Sequence, residues 1–296
     1  MSAAAIIPRG RRPRRLTAGR AGLYAFLAIC AVFFLIPLYV MLVTSLKGMP
    51  EIRQGYIFAW PAAPSLAAWG KAWFAACTGL SCNGIRVGFV NSLRILIPSV
   101  IVSITIGAIT GYALSFWRPR GAVFLFGTLI AVAFIPYQVF IYPLVRIFSH
   151  LGLNNSAPGI VIIHTIFGLP TMTLIFRNHF AALPEELFKA ARVDGAGFWR
   201  IFGAIMLPMA LPIIVVAVIL QVTGIWNDFI FGLVFAGREN LPMTVQLNNI
   251  VNTTMGERAY NVNMAATILT AVVPLAIYFF SGRWFLRGVA AGAVKG

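Results

Sequence analysis

Leu183-Pro184-Glu185-Glu186-Leu187-Phe188-Lys189-Ala190-Ala191-Arg192-Val193-Asp194-Gly195-Ala196-Gly197-Phe198-Trp199-Arg200-Ile201-Phe202 is a charged stretch in an otherwise apolar chain, and it runs on to Ile205-Met206-Leu207-Pro208. Pro184 suits the first turn of a helix, and the carboxylates of Glu185 and Glu186 suit its positive end. Gly195 after Asp194 supplies a left-handed cap, so the helix is expected to stop there. Phe198, Ile201, Phe202 and Ile205 follow the i, i+3, i+4, i+7 spacing, which predicts a second helix with one apolar face. Pro208 and Pro212 end or kink it. A short helix–turn–helix of this kind is shaped to enter a groove on another protein.

The rest of the chain fixes the medium around that stretch. Of 296 residues, 60% are hydrophobic and 10% charged, and the mean hydropathy is +0.88. A soluble domain carries about 25% charged residues, so the composition is that of an integral membrane protein. Three cysteines exclude a dense disulfide scaffold. The net charge of +16 would suggest nucleic acid as partner of a soluble protein. In a membrane protein its distribution matters more, because Lys and Arg gather in cytoplasmic loops.

Residues 1–20 form a basic tail with Arg9, Arg11, Arg12, Arg14, Arg15 and Arg20, and residues 21–46 read as a first transmembrane helix. That apolar run is too long for a signal-peptide core and has no small-residue cleavage site after it. The tail reads as an orientation signal and not as a nucleic-acid arm. Residues 47–86 read as a periplasmic loop rich in proline and tryptophan. Five further spans are expected at 95–117, 122–148, 160–176, 208–236 and 264–280, with a polar loop at 237–261 and a small-residue cytoplasmic tail at 284–296. Both termini then lie inside. The inner side collects the tail arginines, Arg118, Arg120, Arg177, Lys189, Arg192, Arg200, Arg283, Arg287 and Lys295, which is 15 of the 23 basic residues.

Within the spans, ionisable groups are few. Asp228 is the single acid, inside Ile225-Trp226-Asn227-Asp228-Phe229. A carboxylate there needs a wet cavity or a partner. Trp226, Asn227 and Asp228 could offer a sugar stacking and hydrogen bonds; equally, Asp228 could tie structurally to Arg94 or anchor at the interface. His164, in the fourth span, reads as a neutral imidazole bonded to a neighbouring helix, with a functional role, the default for an ionisable group inside a span, as the alternative. Cys77 and Cys82 lie in the outer loop, where an oxidising compartment permits a disulfide; two free thiols are the alternative. Gly107, Ala108 and Gly111 read as close helix packing. The chain has no phosphate-cradling G-x-x-x-x-G-K-[ST] and no H-E-x-x-H, so no ATP hydrolysis, metal site, catalytic constellation or cofactor is expected in it.

The stretch at 183–208 resembles the cytoplasmic "EAA" coupling loop of permease subunits in binding-protein-dependent ABC importers. That family reads roughly E-A-A-x-x-D-G-A followed by I-x-L-P, and Ala190, Ala191, Asp194, Gly195, Ala196, Ile205, Leu207 and Pro208 match it. Lys189 departs, standing where the family has glutamate. The similarity extends from about Asn91 to the C-terminus. Asn91-Ser92, Gly111-Tyr112-Ala113, the Trp226–Phe229 run and Gly292-Ala293-Val294-Lys295-Gly296 look like the carbohydrate branch, of maltose second-permease type, and the phrase around Glu186 resembles glucose/mannose importers.

The resemblance implies an all-α type I ABC importer permease fold with six transmembrane helices and a cytoplasmic coupling helix. The permease domain spans 87–283 and sits in the cell (inner) membrane. Implied partners are a second permease, an ABC ATPase dimer, a periplasmic or extracellular sugar-binding protein, a carbohydrate substrate and membrane lipid, with no nucleic acid. Glu185, Glu186, Lys189, Ala190, Ala191, Asp194 and Gly195 would couple to the ATPase. Two other readings are an ion-coupled secondary transporter of a small polar solute and an ABC permease for a non-sugar solute. The first would want more midplane ionisable groups and an internal repeat.

Overall fold

The computed structural model describes residues 17–78, 81–252 and 258–293, the last twelve of them as backbone only. Residues 1–16 and 294–296, which hold most of the basic tail and the end of the chain, lie outside the described residues. Every regular element among the described residues is helical.

Four helices are long and apolar enough to cross a membrane: Ala18–Leu46, Arg86–Trp117, Ala157–Ala181 and Tyr260–Ser281. The first of these, α1 (Ala18–Leu46), stands almost wholly exposed along the body, as a helix facing lipid does. Beyond it, α2 (Met49–Arg53) and α3 (Ala67–Phe74) fold over its end. Next comes α4 (Arg86–Tyr112), which closes in a π turn, Ala113–Trp117. The third crossing is broken into α5 (Ala122–Ala133) and α6 (Gln138–His150), bent by 108°. Pro136 lies in the break, whereas Pro143 is carried inside α6. The long helix α7 (Ala157–Ala181) starts with Ser156 Oγ accepting the Gly159 N–H at 3.1 Å, an N-cap with Pro158 in the first turn.

The charged stretch is helix–turn–helix, as its residues predict. It comprises α8 (Glu185–Val193), then α9 (Phe198–Ile201), a π turn at Phe202–Met206 and α10 (Leu207–Met209). A bend of 78° leads into α11 (Leu211–Trp226). Counting each bent pair as one crossing gives six.

Three expectations need correction. The fifth crossing does not run to Ala236: it stops at Trp226 and restarts as α12 (Ile230–Phe235). Its reason is Asp228, whose carboxylate accepts the N–H groups of Phe231 and Gly232 and so begins a new helix. The loop expected at 237–261 contains α13 (Met243–Val251), which buries Met243, Val245, Gln246 and Ile250. The last helix, α14 (Tyr260–Ala293), takes up most of the expected small-residue tail.

The tightest helix pair is α4 with α7. A Cβ added to Gly107 would stand 2.5 Å from Met172 Cβ, and one at Gly111 would stand 2.7 Å from the Arg177 backbone nitrogen. Glycine is what lets these backbones approach. Two apolar cores flank this contact. One centres on Ile163, Trp226 and Phe235 toward the α1–α3 end, and the other on Tyr112, Phe176 and Phe180 against the charged stretch.

Candidate functional site

The charged helix is seated by aromatic rings. Phe188 stacks on Phe116 at 4.9 Å, and the Arg192 guanidinium lies over the Trp117 ring at 4.6 Å. Ala191 and Ala196 are buried, and the Ala196 N–H donates to the Ala191 carbonyl across the turn. Gly195 makes that turn with φ +78°, the conformation its sequence position predicts. Tyr112, fully buried at the end of α4, is the common neighbour. Its ring meets Phe198 at 4.8 Å, Phe202 at 5.5 Å and Phe180 at 6.1 Å, and its hydroxyl accepts the Trp117 Nε1–H at 2.8 Å.

The opposite face of α8 is open. Glu186, Ala190 and Val193 share a stripe at i, i+4, i+7, all exposed, with Val193 88% accessible and Trp199 67% accessible beyond the turn. Lys189 Nζ lies 3.6 Å from Glu185 Oε1, one turn back. Glu186 has no ion pair among the described residues, and Asp194 closes the helix. Of the residues expected to couple, only Ala191 faces inward.

Toward the opposite end of the bundle, a cavity of about 450 Å³ opens between the break before α6 and the helices α7, α11 and α12. Asn227 and Asp228 line it, with His164, Gln221, Phe167 and Phe231. Asp228 Oδ2 stands 3.8 Å from His164 Nε2, and both side chains are largely buried. Phe167 and Phe231 stack at 4.9 Å, and Tyr137 meets Phe231 edge-on. Gln221 donates to Ser103 Oγ at 2.8 Å. The wall thus offers aromatic faces beside amide, imidazole and carboxylate groups, which suits a polar ligand with apolar ring faces.

Trp226 is a correction. It is 1% exposed, packs on Phe89 and donates its indole N–H to the Thr270 carbonyl, so it supports the break and does not line the cavity. Arg94 is exposed, and no ion pair joins it to Asp228 among the described residues. The sequence reading missed His164 as the neighbour of Asp228, and also the aromatic wall. The available signal was two ionisable residues in separate spans. The Asn91-Ser92 pair holds the loop before α13: Asn91 donates to the Glu239 carbonyl, and Ser92 Oγ accepts the Met243 N–H. Cys77 and Cys82 are joined by a disulfide in the loop between α3 and α4. No three His, Cys, Asp or Glu side chains come together among the described residues.

The family profile described as "Binding-protein-dependent transport system inner membrane component" matches residues 103–291. The osmoprotective compounds uptake permease protein GgtD of Synechocystis sp. is 34% identical, over 73% of this chain and 72% of its own. The alpha-glucoside transport system permease protein AglG of Rhizobium meliloti is 36% identical, over 73% and 58%. The glucose import system permease protein GlcU of Saccharolobus solfataricus is 31% identical, over 92% and 95%. Among solved structures, a chain of a bacterial ABC transporter that imports the acidic polysaccharide alginate superposes with a TM-score of 0.75 at 21% identity, covering 93% of this chain and 100% of that one. A chain of the MetNI methionine ABC transporter superposes with 0.53 at 20% identity, covering 68% and 94%.

Proposed function

The chain belongs to the family of binding-protein-dependent transport system inner membrane components, and from that premise we propose that it forms half of the translocation pathway of an ATP-driven carbohydrate importer. The observation that carries the carbohydrate reading is the run of relatives named for glucose and alpha-glucoside transport, one of them matched over 92% of this chain. The aromatic and amide lining beside Asn227 supports it, because a pyranose has apolar faces and a polar rim.

The partners follow from chemistry that the chain lacks. It holds no phosphate-binding loop, so in an ATP-driven importer the energy would come from a separate ATPase dimer, and α8 is the element this reading offers to it. In this reading Glu186 is the docking carboxylate, Ala190 and Val193 give the contact stripe, and Lys189 is held by Glu185. A second permease completes the pathway, and an external sugar-binding protein delivers the solute. Charge distribution supports both termini lying in the cytoplasm. No cofactor is assigned to this chain.

Reconstitution with the neighbouring ATPase, second permease and binding protein tests the reading. ATP-dependent uptake of labelled glucose or an alpha-glucoside is the expected outcome; ATPase copurification with no saccharide uptake overturns the substrate and keeps the importer. One relative, named for osmoprotective compounds, favours a second reading in which the solute is a compatible solute of that kind. The same uptake assay with such solutes decides between them.

A further inference from the structure

At the coupling-helix end of the bundle, a second cavity of about 410 Å³ opens between the π turn that ends α4, the loop at 118–121, the start of α5 and the end of α7. Two guanidinium groups line it, Arg118 and Arg177. Neither meets a carboxylate among the described residues, and no acidic residue lines the cavity. Both side chains are positioned. Arg118 sits in a left-handed backbone, φ +41°, and donates its Nε–H to the Ser115 carbonyl at 3.2 Å, which leaves its terminal nitrogens free of that bond. Arg177 lies over the Phe126 ring at 4.6 Å and its Nη1–H donates to Asn178 Oδ1 at 3.5 Å, a long bond that leaves its other donors toward the cavity, while the Ser115 hydroxyl donates to the Arg177 backbone carbonyl at 3.1 Å and fixes the backbone there.

The surroundings are those of a lipid boundary. The cavity opens beside α5, whose Val123 is 88% and Phe124 80% exposed. Its floor, Leu114, Val123 and Phe126, is apolar. Two like charges on an apolar floor call for an anion, and a guanidinium offers a planar pair of donors that matches phosphate oxygens. A ligand with a phosphate at one end and hydrocarbon at the other satisfies both halves of the cavity. The lining holds no carboxylate for the ammonium of a zwitterionic headgroup, and its one aromatic face, Phe126, is already covered by Arg177.

We propose that this cavity binds the phosphodiester headgroup of an anionic phospholipid, through Arg118 and Arg177, with an acyl chain laid along Phe126 and Val123. The site does not depend on which solute the protein carries. Basic pockets between membrane helices take headgroups in this way.

Native mass spectrometry of the detergent-purified full chain, with the subunits that copurify, tests it. The probes are phosphatidylglycerol and phosphatidylcholine with identical acyl chains. Phosphatidylglycerol is expected to remain bound as a discrete adduct where phosphatidylcholine dissociates. R118Q with R177Q should weaken that adduct about thirtyfold. R86Q, at the far end of α4, should leave it unchanged. Equal retention of the two lipids overturns the proposal, and so does a double variant that binds phosphatidylglycerol like the parent chain. Displacement of the lipid by millimolar inorganic phosphate overturns the lipid as source and leaves a free-anion site. If the double variant does not fold, the comparison of the two lipids on the parent chain decides alone.

Discussion

Asp228 and His164 stand 3.8 Å apart on the cavity wall, and the same Asp228 carboxylate accepts the N–H groups that open α12. One side chain therefore both lines the cavity and shapes its wall. Asp228→Ala removes a helix-starting acceptor, expected to cost about 1 kcal/mol, and is expected to cut uptake strongly while the complex still assembles. Asp228→Asn keeps an acceptor oxygen and should recover much of the assembly margin. Uptake by purified, reconstituted complex against its yield reads both effects; unchanged uptake in Asp228→Ala removes the carboxylate from the pathway.

The Glu185–Lys189 pair is exposed on both sides, so Glu185→Gln should change stability by only ~0.3–0.5 kcal/mol, less in salt. Glu186→Lys, by contrast, is expected to reduce ATPase copurification and transport together. If Glu186→Lys is silent and Lys189→Glu abolishes both, the docking carboxylate belongs to the ATPase and Lys189 meets it.

Gly195 has open space around the position a Cβ would take, so its substitution is opposed by the backbone alone. Gly195→Val should cost ~1–2 kcal/mol in the turn, and Gly195→Asn less, because asparagine enters the left-handed region more readily. The measurement is transport per ATP hydrolysed. Valine should lower that ratio more than asparagine does, and equal ratios would show that the turn tolerates another geometry.

Charge asymmetry predicts that a reporter fused after Pro64 reads as external and one after Arg192 as cytoplasmic. The reverse pattern would invert the whole topology, including which side carries α8.

The Cys77–Cys82 bridge predicts that alkylation without reductant modifies Cys30 alone, and that reductant exposes two more thiols. Intact mass distinguishes one added group from three. Three without reductant would mean that the loop is open.

The charged stretch was legible because its residue types carry local instructions: Pro184 starts, Glu185 and Glu186 suit the first turn, Gly195 stops. The spans were legible for the same reason, since long apolar runs leave few alternatives. The break after Trp226 was not. Residues 229–236 stay apolar across it, so hydropathy continues while the backbone turns, and the cause is a carboxylate bonded to amides three and four residues on. Nor could the sequence say which way Trp226 points. An indole in a membrane helix suits a sugar or a neighbouring carbonyl equally well, and Thr270 supplies that carbonyl from a helix 44 residues away. The helix at 243–251 hid among asparagines, because its buried face depends on Gln246 reaching Gly88.

One helix touches both working ends of the protein. Near its start, Asn91 and Ser92 of α4 grip the loop that leads to α13, and at its finish Tyr112 is locked among the rings that seat the charged stretch. The two grips lie roughly 32 Å apart at 1.5 Å per residue, on a helix that continues unbroken through Pro98. Such a member has the form of a push rod, and its weak point is Pro98, whose ring nitrogen brings no N–H to the helix ladder: a shift imposed at the ring cluster is expected to reach the far loop only as far as the helix does not bend there.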